Sequence, residues 1–240
     1  MTKQAHIQLE KMKQVSKAII VGDPKRVERV ASCLENVEKL SDNRGYISIK
    51  GDYQGASILV IATGIGAPST AIVVEELANI GIDTIIRVGS CGAMQHNIPL
   101  GALIIPTGVV RDEGLTKKYV PTDFPAVANN ELLSSAKKFL PNGYYGITRS
   151  HDGFYMENNA ETEKYWSHFG ILGADMESSA LYVLGSLKGI RALSILNNVV
   201  LYEADLSEGV NSLVNEEDAV AKGEMDSIKL ALTILNEVGN

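Results

Sequence analysis

Short apolar runs that close on a glycine turn and lead into a helically spaced stretch recur along this chain, and no other feature restricts its fold as much. Residues 18–21 form such a run. Gly22-Asp23-Pro24 follows, then an amphipathic stretch over residues 26–34. Asp23 suits a helix cap and Pro24 the first helical position. Residues 46–50 and 57–63 read as two strands joined by a turn over residues 52–55. Beyond Gly64-Ile65-Gly66, the spacing of Ile72, Val73, Leu77 and Ile80 predicts a helix over residues 69–80. Residues 84–88 are apolar on both faces except for Arg87, the pattern of a strand buried in a parallel sheet. Further strands are expected over residues 103–106, 109–110, 145–148 and 192–196. Further helices are expected over residues 130–139, 176–187 and 219–238. Strand then helix, repeated, predicts an α/β fold: a single domain over residues 1–240 with a central mixed, largely parallel twisted β-sheet flanked by helices.

A chain of 240 residues buries a substantial core without disulfides or a structural metal. The formal net charge of −7 disfavours non-specific binding to nucleic acid or to anionic membranes. Two cysteines, Cys33 and Cys91, make neither a disulfide framework nor a metal site alone, and they point to a reducing compartment. The polar N-terminus lacks an apolar signal core, and no apolar run reaches the roughly 18 residues of a bilayer span. A cytoplasmic protein is expected. Three polar stretches, residues 112–125, 151–161 and 202–218, are long enough to act as lids.

Three glycine-rich turns follow apolar strands: Gly22-Asp23-Pro24, Gly64-Ile65-Gly66 and Gly89-Ser90-Cys91-Gly92. Ligands of open α/β sheets bind beyond the carboxyl ends of strands, where such turns lie. Glycine also lets backbone N–H groups approach an anion. None of the three is a dinucleotide fingerprint or a Walker loop. Arg87 says more. Desolvating an unpaired arginine costs several kcal/mol, so it needs a partner, either an internal carboxylate or a bound phosphate. Arg26 and Arg44 each lie near a glycine turn, where a plain surface charge is equally at home. Asp175-Met176-Glu177 puts two acids at a helix start. They either complement the helix dipole or grip sugar hydroxyls, which pair well with an acceptor-only group.

GDPKRVERV, TGIGAPST, IIRVGSCGAMQ and DMESSALY, in this order, resemble the nucleoside phosphorylase-I family, which includes uridine phosphorylases and hexameric purine nucleoside phosphorylases. The resemblance runs from His6 to the C-terminal helix. It implies phosphate-dependent cleavage of a nucleoside to free base and ribose 1-phosphate, with no metal and no cofactor. It places Gly22, Arg26, Arg87 and Ser90 on the phosphate, with Arg44 reaching into a neighbouring subunit's site. It assigns the ribose to Met176, Glu177 and, across a dimer interface, His6. Arg87 and Glu177 are the implied catalytic pair. Cys91, Gly92, Phe154, Asn158, Val199 and Val200 fall where the base is held. Implied partners are a nucleoside, phosphate and further copies of the chain, as dimers sharing sites within a homohexamer.

The base is where the chain departs from familiar patterns. Purine enzymes of the family carry an aspartate where Val200 stands, and uridine phosphorylases carry an apolar pair, so Val199-Val200 favours uridine. A leaving purine would need its proton or hydrogen bond from elsewhere, with Asn197 and Asn198 as candidates. Uridine phosphorylases also read uracil with a glutamine and an arginine, at whose positions Asn158 and Ala160 stand. Gly45 replaces a glutamate that serves a monovalent cation. Uridine-type phosphorolysis is expected. Purine or broad specificity is the alternative, and a non-catalytic nucleoside-binding relative is the alternative of another class.

Overall fold

Asp23 accepts a hydrogen bond from the Lys25 N–H at 3.0 Å, and Pro24 opens the first helix behind it. The local chemistry of that first turn therefore folds as its residues dictate. The computed structural model describes residues 3–204 and 218–238, so most of the expected third lid, residues 202–218, lies outside the described residues. In chain order the elements are β1 (Lys17–Val21), α1 (Pro24–Ala31), β2 (Glu35–Asn43), β3 (Tyr46–Tyr53), β4 (Ala56–Ala62), α2 (Ala67–Asn79) and β5 (Thr84–Ala93). They continue with β6 (Leu103–Asp112), α3 (Thr116–Tyr119), β7 (Ala126–Val127), α4 (Asn130–Phe139), β8 (Tyr144–His151) and α5 (Asn159–His168). The last are β9 (Gly173–Asp175), α6 (Ser178–Lys188), β10 (Arg191–Val200) and α7 (Asp218–Glu237).

All strands join one mixed sheet. β1 lies between β4 and β5, and all three are parallel, as are β5 with β10 and β6 with β8. The β2–β3 and β3–β4 pairs are antiparallel and extend one edge. Beyond β5, the pairings β5–β9, β9–β8, β8–β6, β6–β10 and β10–β5 return to their starting strand. The central strands read as apolar runs because both their faces are covered, and Ile19, Ile20, Ile85 and Ile86 have no exposed surface.

The short α3, β7 and β9 and the helix α5 were not expected, and three further differences have a physical reason. β2 escapes a hydrophobicity reading because it is an edge strand whose residues are mostly exposed, so nothing enforces alternation. The Gly89-Ser90-Cys91-Gly92 segment is not a turn but the last part of β5. It pairs with β10 from Leu196 through Val200, and four further backbone pairings outweigh the weak strand preference of glycine. α6 begins at Ser178, two residues later than expected, which leaves Met176 and Glu177 outside the helix.

Candidate active site

The C-terminal ends of β1 and β5 lie side by side, with Val21 opposite Val88. Arg26, in the first turn of α1, is 3% exposed and reaches across to β5. Its Nη1 donates to the Val88 carbonyl at 3.1 Å and its Nη2 to Ser90 Oγ at 2.9 Å. Nη2 also meets Glu224 Oε2 of α7 at 3.1 Å, and Glu224 Oε1 accepts from Arg29 at 2.8 Å. Arg26 Nε is buried with no hydrogen-bond partner among the described residues.

Arg87 turns back over Gly89, where a Cβ would lie 2.6 Å from its Cζ, so only glycine admits this arrangement. Its Nε donates to Asp175 Oδ2 at 3.2 Å and its Nη2 to Glu177 Oε2 at 2.5 Å. Burial opposes the charge on Arg87, but Glu177 and Asp175 outweigh it and push its pKa upward. The internal-carboxylate reading of this strand arginine therefore holds. Its Nη1, however, has no hydrogen-bond partner among the described residues and faces Gly22, 4.0 Å from where a Cβ would stand. Arg26 and Arg87 thus both serve the end of one strand pair, Arg26 through Val88 and Ser90 and Arg87 through an Nη1 that faces a position with no side chain.

The two acids of the Asp175-Met176-Glu177 segment divide their work. Asp175 is the helix-start acid, accepting from the Ser178 N–H at 3.1 Å and from Ser178 Oγ at 2.6 Å. Glu177 makes no capping bond. Its Oε1 accepts from the Gly66 N–H at 2.6 Å, inside the second glycine turn. Burial pushes the Glu177 carboxyl above the usual carboxylate range, although Arg87 and the Gly66 N–H pull the other way.

Other expected site residues are placed as follows. Val200 pairs with Gly92 across β10 and β5, and Val199 and Val200 are buried against Leu100 and Val220. Cys91 is buried with Sγ 3.7 Å from the Asn197 carbonyl, and burial pushes its thiol pKa up. Met176 and Phe154 are half-buried, and Asn158 is exposed. The structure overturns the reading of Asn197 or Asn198 as a proton source for a purine. The Asn198 side chain binds the backbone of Ala93 and Pro99, and Asn197 Nδ2 donates to the Val220 carbonyl, because both anchor the end of β10.

His6 lies beside the turn that carries Arg44. Asn43 Nδ2 donates to the His6 carbonyl at 2.7 Å, and His6 Nδ1 meets Glu76 Oε1 at 2.6 Å. Arg44 is exposed in the β2–β3 turn, and no hydrogen bond or ion pair among the described residues links it to Arg26 or Arg87. Among the described residues no group of three His, Cys, Asp or Glu side chains is disposed to hold a metal. No described helix is long and apolar enough to cross a membrane.

Sequence reasoning missed Glu224 and Arg149. Glu224 falls on the buried stripe of α7 with Val220, Ser227 and Ile228, so a charge at helical spacing from apolar residues was the available signal. Arg149 is a second arginine buried in a strand, 3% exposed, but the expected strand stopped one residue short of it.

With this geometry in place, the likeness to known proteins is specific. The model of the phosphorylase superfamily matches residues 16–236. A guanosine phosphorylase from Halorubrum lacusprofundi is 33% identical, with 99% of each chain covered. A uridine phosphorylase from Haemophilus influenzae is 38% identical, over 81% of this chain and 85% of the other. The solved structure of uridine phosphorylase from Vibrio fischeri ES114 superposes with a TM-score of 0.92, at 45% identity, over 99% and 98% of the two chains. By sequence along nearly its whole length, and by the course of its backbone, the chain belongs to the phosphorylase superfamily.

Proposed function

We propose that this chain is a nucleoside phosphorylase, a pentosyltransferase that cleaves uridine-type nucleosides with inorganic phosphate. One observation carries the reading: Arg87 directs an Nη1 that has no hydrogen-bond partner among the described residues towards Gly22, while Arg26 reaches Val88 and Ser90 at the end of the adjoining strand. Two guanidinium groups with unused donors fit an oxyanion. Glu177, tied to Arg87, then lies next to that anion, as a ligand of ribose hydroxyls must.

Phosphate held there attacks C1′ of the ribose. A new C1′–O bond forms as the C1′–N bond breaks, and the base leaves with the bonding pair and takes up a proton. Positioning the dianion in line is entropic catalysis, and its charge stabilises the cationic sugar. The reaction uses phosphate as co-substrate and no cofactor. Two free thiols support a reducing compartment such as the cytoplasm.

Uridine is favoured because the uridine phosphorylases match closely and Val200 stands at the purine enzymes' acid position. Purine cleavage is the second reading, favoured by the full-length match to a guanosine phosphorylase. Base release from uridine, inosine, guanosine and adenosine, with and without phosphate, tests both. Phosphate-dependent release from uridine is expected. Release from purines alone overturns the first reading, and binding without turnover overturns catalysis.

His6 and Arg44 would act on a second copy's site, in a dimer and in a hexamer built from dimers. The bond from Asn43 to the His6 carbonyl, which sets His6 against the hairpin that carries the exposed Arg44, supports this, as does Ile65, 76% exposed in the Gly66 turn. Mixing unfolded Arg44→Ala and Arg87→Lys chains and refolding them together should restore activity to about one site in four. No recovery in a mixed dimer excludes the shared site.

A further inference from the structure

We propose that Ser150 is a positioning residue for phosphate: acting through Asp175, it fixes the rotation of the Arg87 guanidinium that directs Nη1 at Gly22. This rests on the nucleoside phosphorylase reading and adds a residue to its anion site.

The fold leaves Asp175 to be placed by β8. β9 is three residues long, and its pairing with β5 stops at Ala174, opposite Gly92. Asp175 is its last residue and pairs with Ser150 of β8. Residues paired in a ladder project to the same side of the sheet, so hydroxyl and carboxylate face each other. Ser150 has no exposed surface, and neither has the Asp175 side chain. Ser150 Oγ donates to Asp175 Oδ1 at 2.5 Å.

The two oxygens of Asp175 are held from different sides. Oδ2 accepts from Arg87 Nε at 3.2 Å, from the Ser178 N–H at 3.1 Å and from Ser178 Oγ at 2.6 Å. Oδ1 accepts the Ser150 hydroxyl and, at the longer distance of 3.3 Å, the Ser178 N–H. A carboxylate turns easily about its bond to Cβ, so its plane is fixed only when both oxygens are engaged. Arg87 in turn is held at two points, Nε by Asp175 and Nη2 by Glu177. With both in place the guanidinium plane is set and Nη1 faces Gly22. If Asp175 turns, the guanidinium pivots about its Glu177 contact and Nη1 swings away.

Ser150 is itself held. Its Oγ accepts from the Ser179 N–H at 3.0 Å, one of the first-turn donors of α6 that no helix carbonyl can satisfy. With that N–H on a lone pair, the hydroxyl turns its one hydrogen to Asp175. Bonds aligned in this way polarise one another. The Ser179 hydroxyl leaves this line and donates to Glu113 Oε1 at 3.1 Å.

The experiment titrates inorganic phosphate into the protein by calorimetry, and measures KM for phosphate and for the nucleoside it cleaves. Native protein is compared with Ser150→Ala, Ser150→Cys and Ser179→Ala. Ser150→Ala should raise the Kd and the KM for phosphate about tenfold, as befits a lost hydrogen bond to a charged group, with about twofold or less on the KM for nucleoside. Ser150→Cys fills similar space with a weaker donor and should lie between native protein and Ser150→Ala, so the proposal is read even if the alanine variant does not fold. Ser179→Ala removes an equally buried hydroxyl but keeps the N–H on Ser150, and it should bind phosphate as native protein does. Unchanged phosphate affinity in the Ser150 variants, a loss shared equally by phosphate and nucleoside, or an equal loss in Ser179→Ala overturns the proposal. A native protein that binds phosphate but releases no base defeats the phosphorylase reading alone, and the Kd values then still decide on Ser150. A native protein that binds no phosphate overturns the anion site and Ser150 with it.

Discussion

Exchanging Arg87 for lysine will lower phosphate-dependent nucleoside cleavage by about 10²-fold or more, and the protein will stay folded. The two halves of that result have separate causes. Arg87 is wedged between Asp175 and Glu177, both buried, at 3.2 and 2.5 Å. Truncation to alanine would leave two buried carboxylates without a cation, and breaking such a pair costs about 3–5 kcal/mol. Loss of activity in Arg87→Ala would therefore mix unfolding with chemistry. Lysine keeps a positive charge for the acids but has a single nitrogen, so it cannot satisfy them and also present the donor that Nη1 directs at Gly22. The expected signature is a large rise in KM for phosphate with a smaller change in KM for nucleoside. An unchanged KM for phosphate in a folded Arg87→Lys protein removes Arg87 from the anion site and leaves it a structural ion-pair member.

Glu177→Gln is expected to reduce nucleoside turnover by about 10²-fold, because an amide accepts fewer hydrogen bonds from sugar hydroxyls and no longer anchors Arg87 by charge. Its effect on stability has the opposite tendency and a definite pH dependence. Burial raises the Glu177 pKa in the folded protein, so the folded state holds this proton more tightly than the unfolded chain. The stabilisation from that group is complete below the ordinary glutamate pKa and is lost as pH rises through the elevated folded value. Glutamine has no proton to lose. The stability of Glu177→Gln relative to native protein should therefore improve from about pH 4.3 upward, as read by urea unfolding at a series of pH values. A native protein that gains stability against the variant over that range would mean that Arg87 and Gly66 overcompensate the burial. Full turnover in Glu177→Gln would exclude the residue from the sugar site.

Much of this molecule is legible one residue at a time. Asp23-Pro24 starts α1 through its own cap, and the apolar strands β1, β4 and β5 declare themselves because both faces are covered. Arg87 stood out for the same reason, since a charge inside such a strand has to be answered. What answered it was not legible. Asp175 and Glu177 lie 88 and 90 residues away in the chain, and only the β5–β9 pairing brings them to the guanidinium.

The sequence by itself therefore determined the local structures and the residue types that can bind an anion and a sugar, because caps, turns and burial patterns depend on near neighbours. Tertiary structure alone decided which arginine nitrogens remain free, that Asp175 caps while Glu177 reaches Gly66, that Asn197 and Asn198 are spent on anchoring β10, and that Arg149 shares a row with Gly92 and Val200. Apart from the local Asp175 cap, those outcomes join partners 23 to 111 residues apart, and strand register, which no short stretch of sequence contains, selects them.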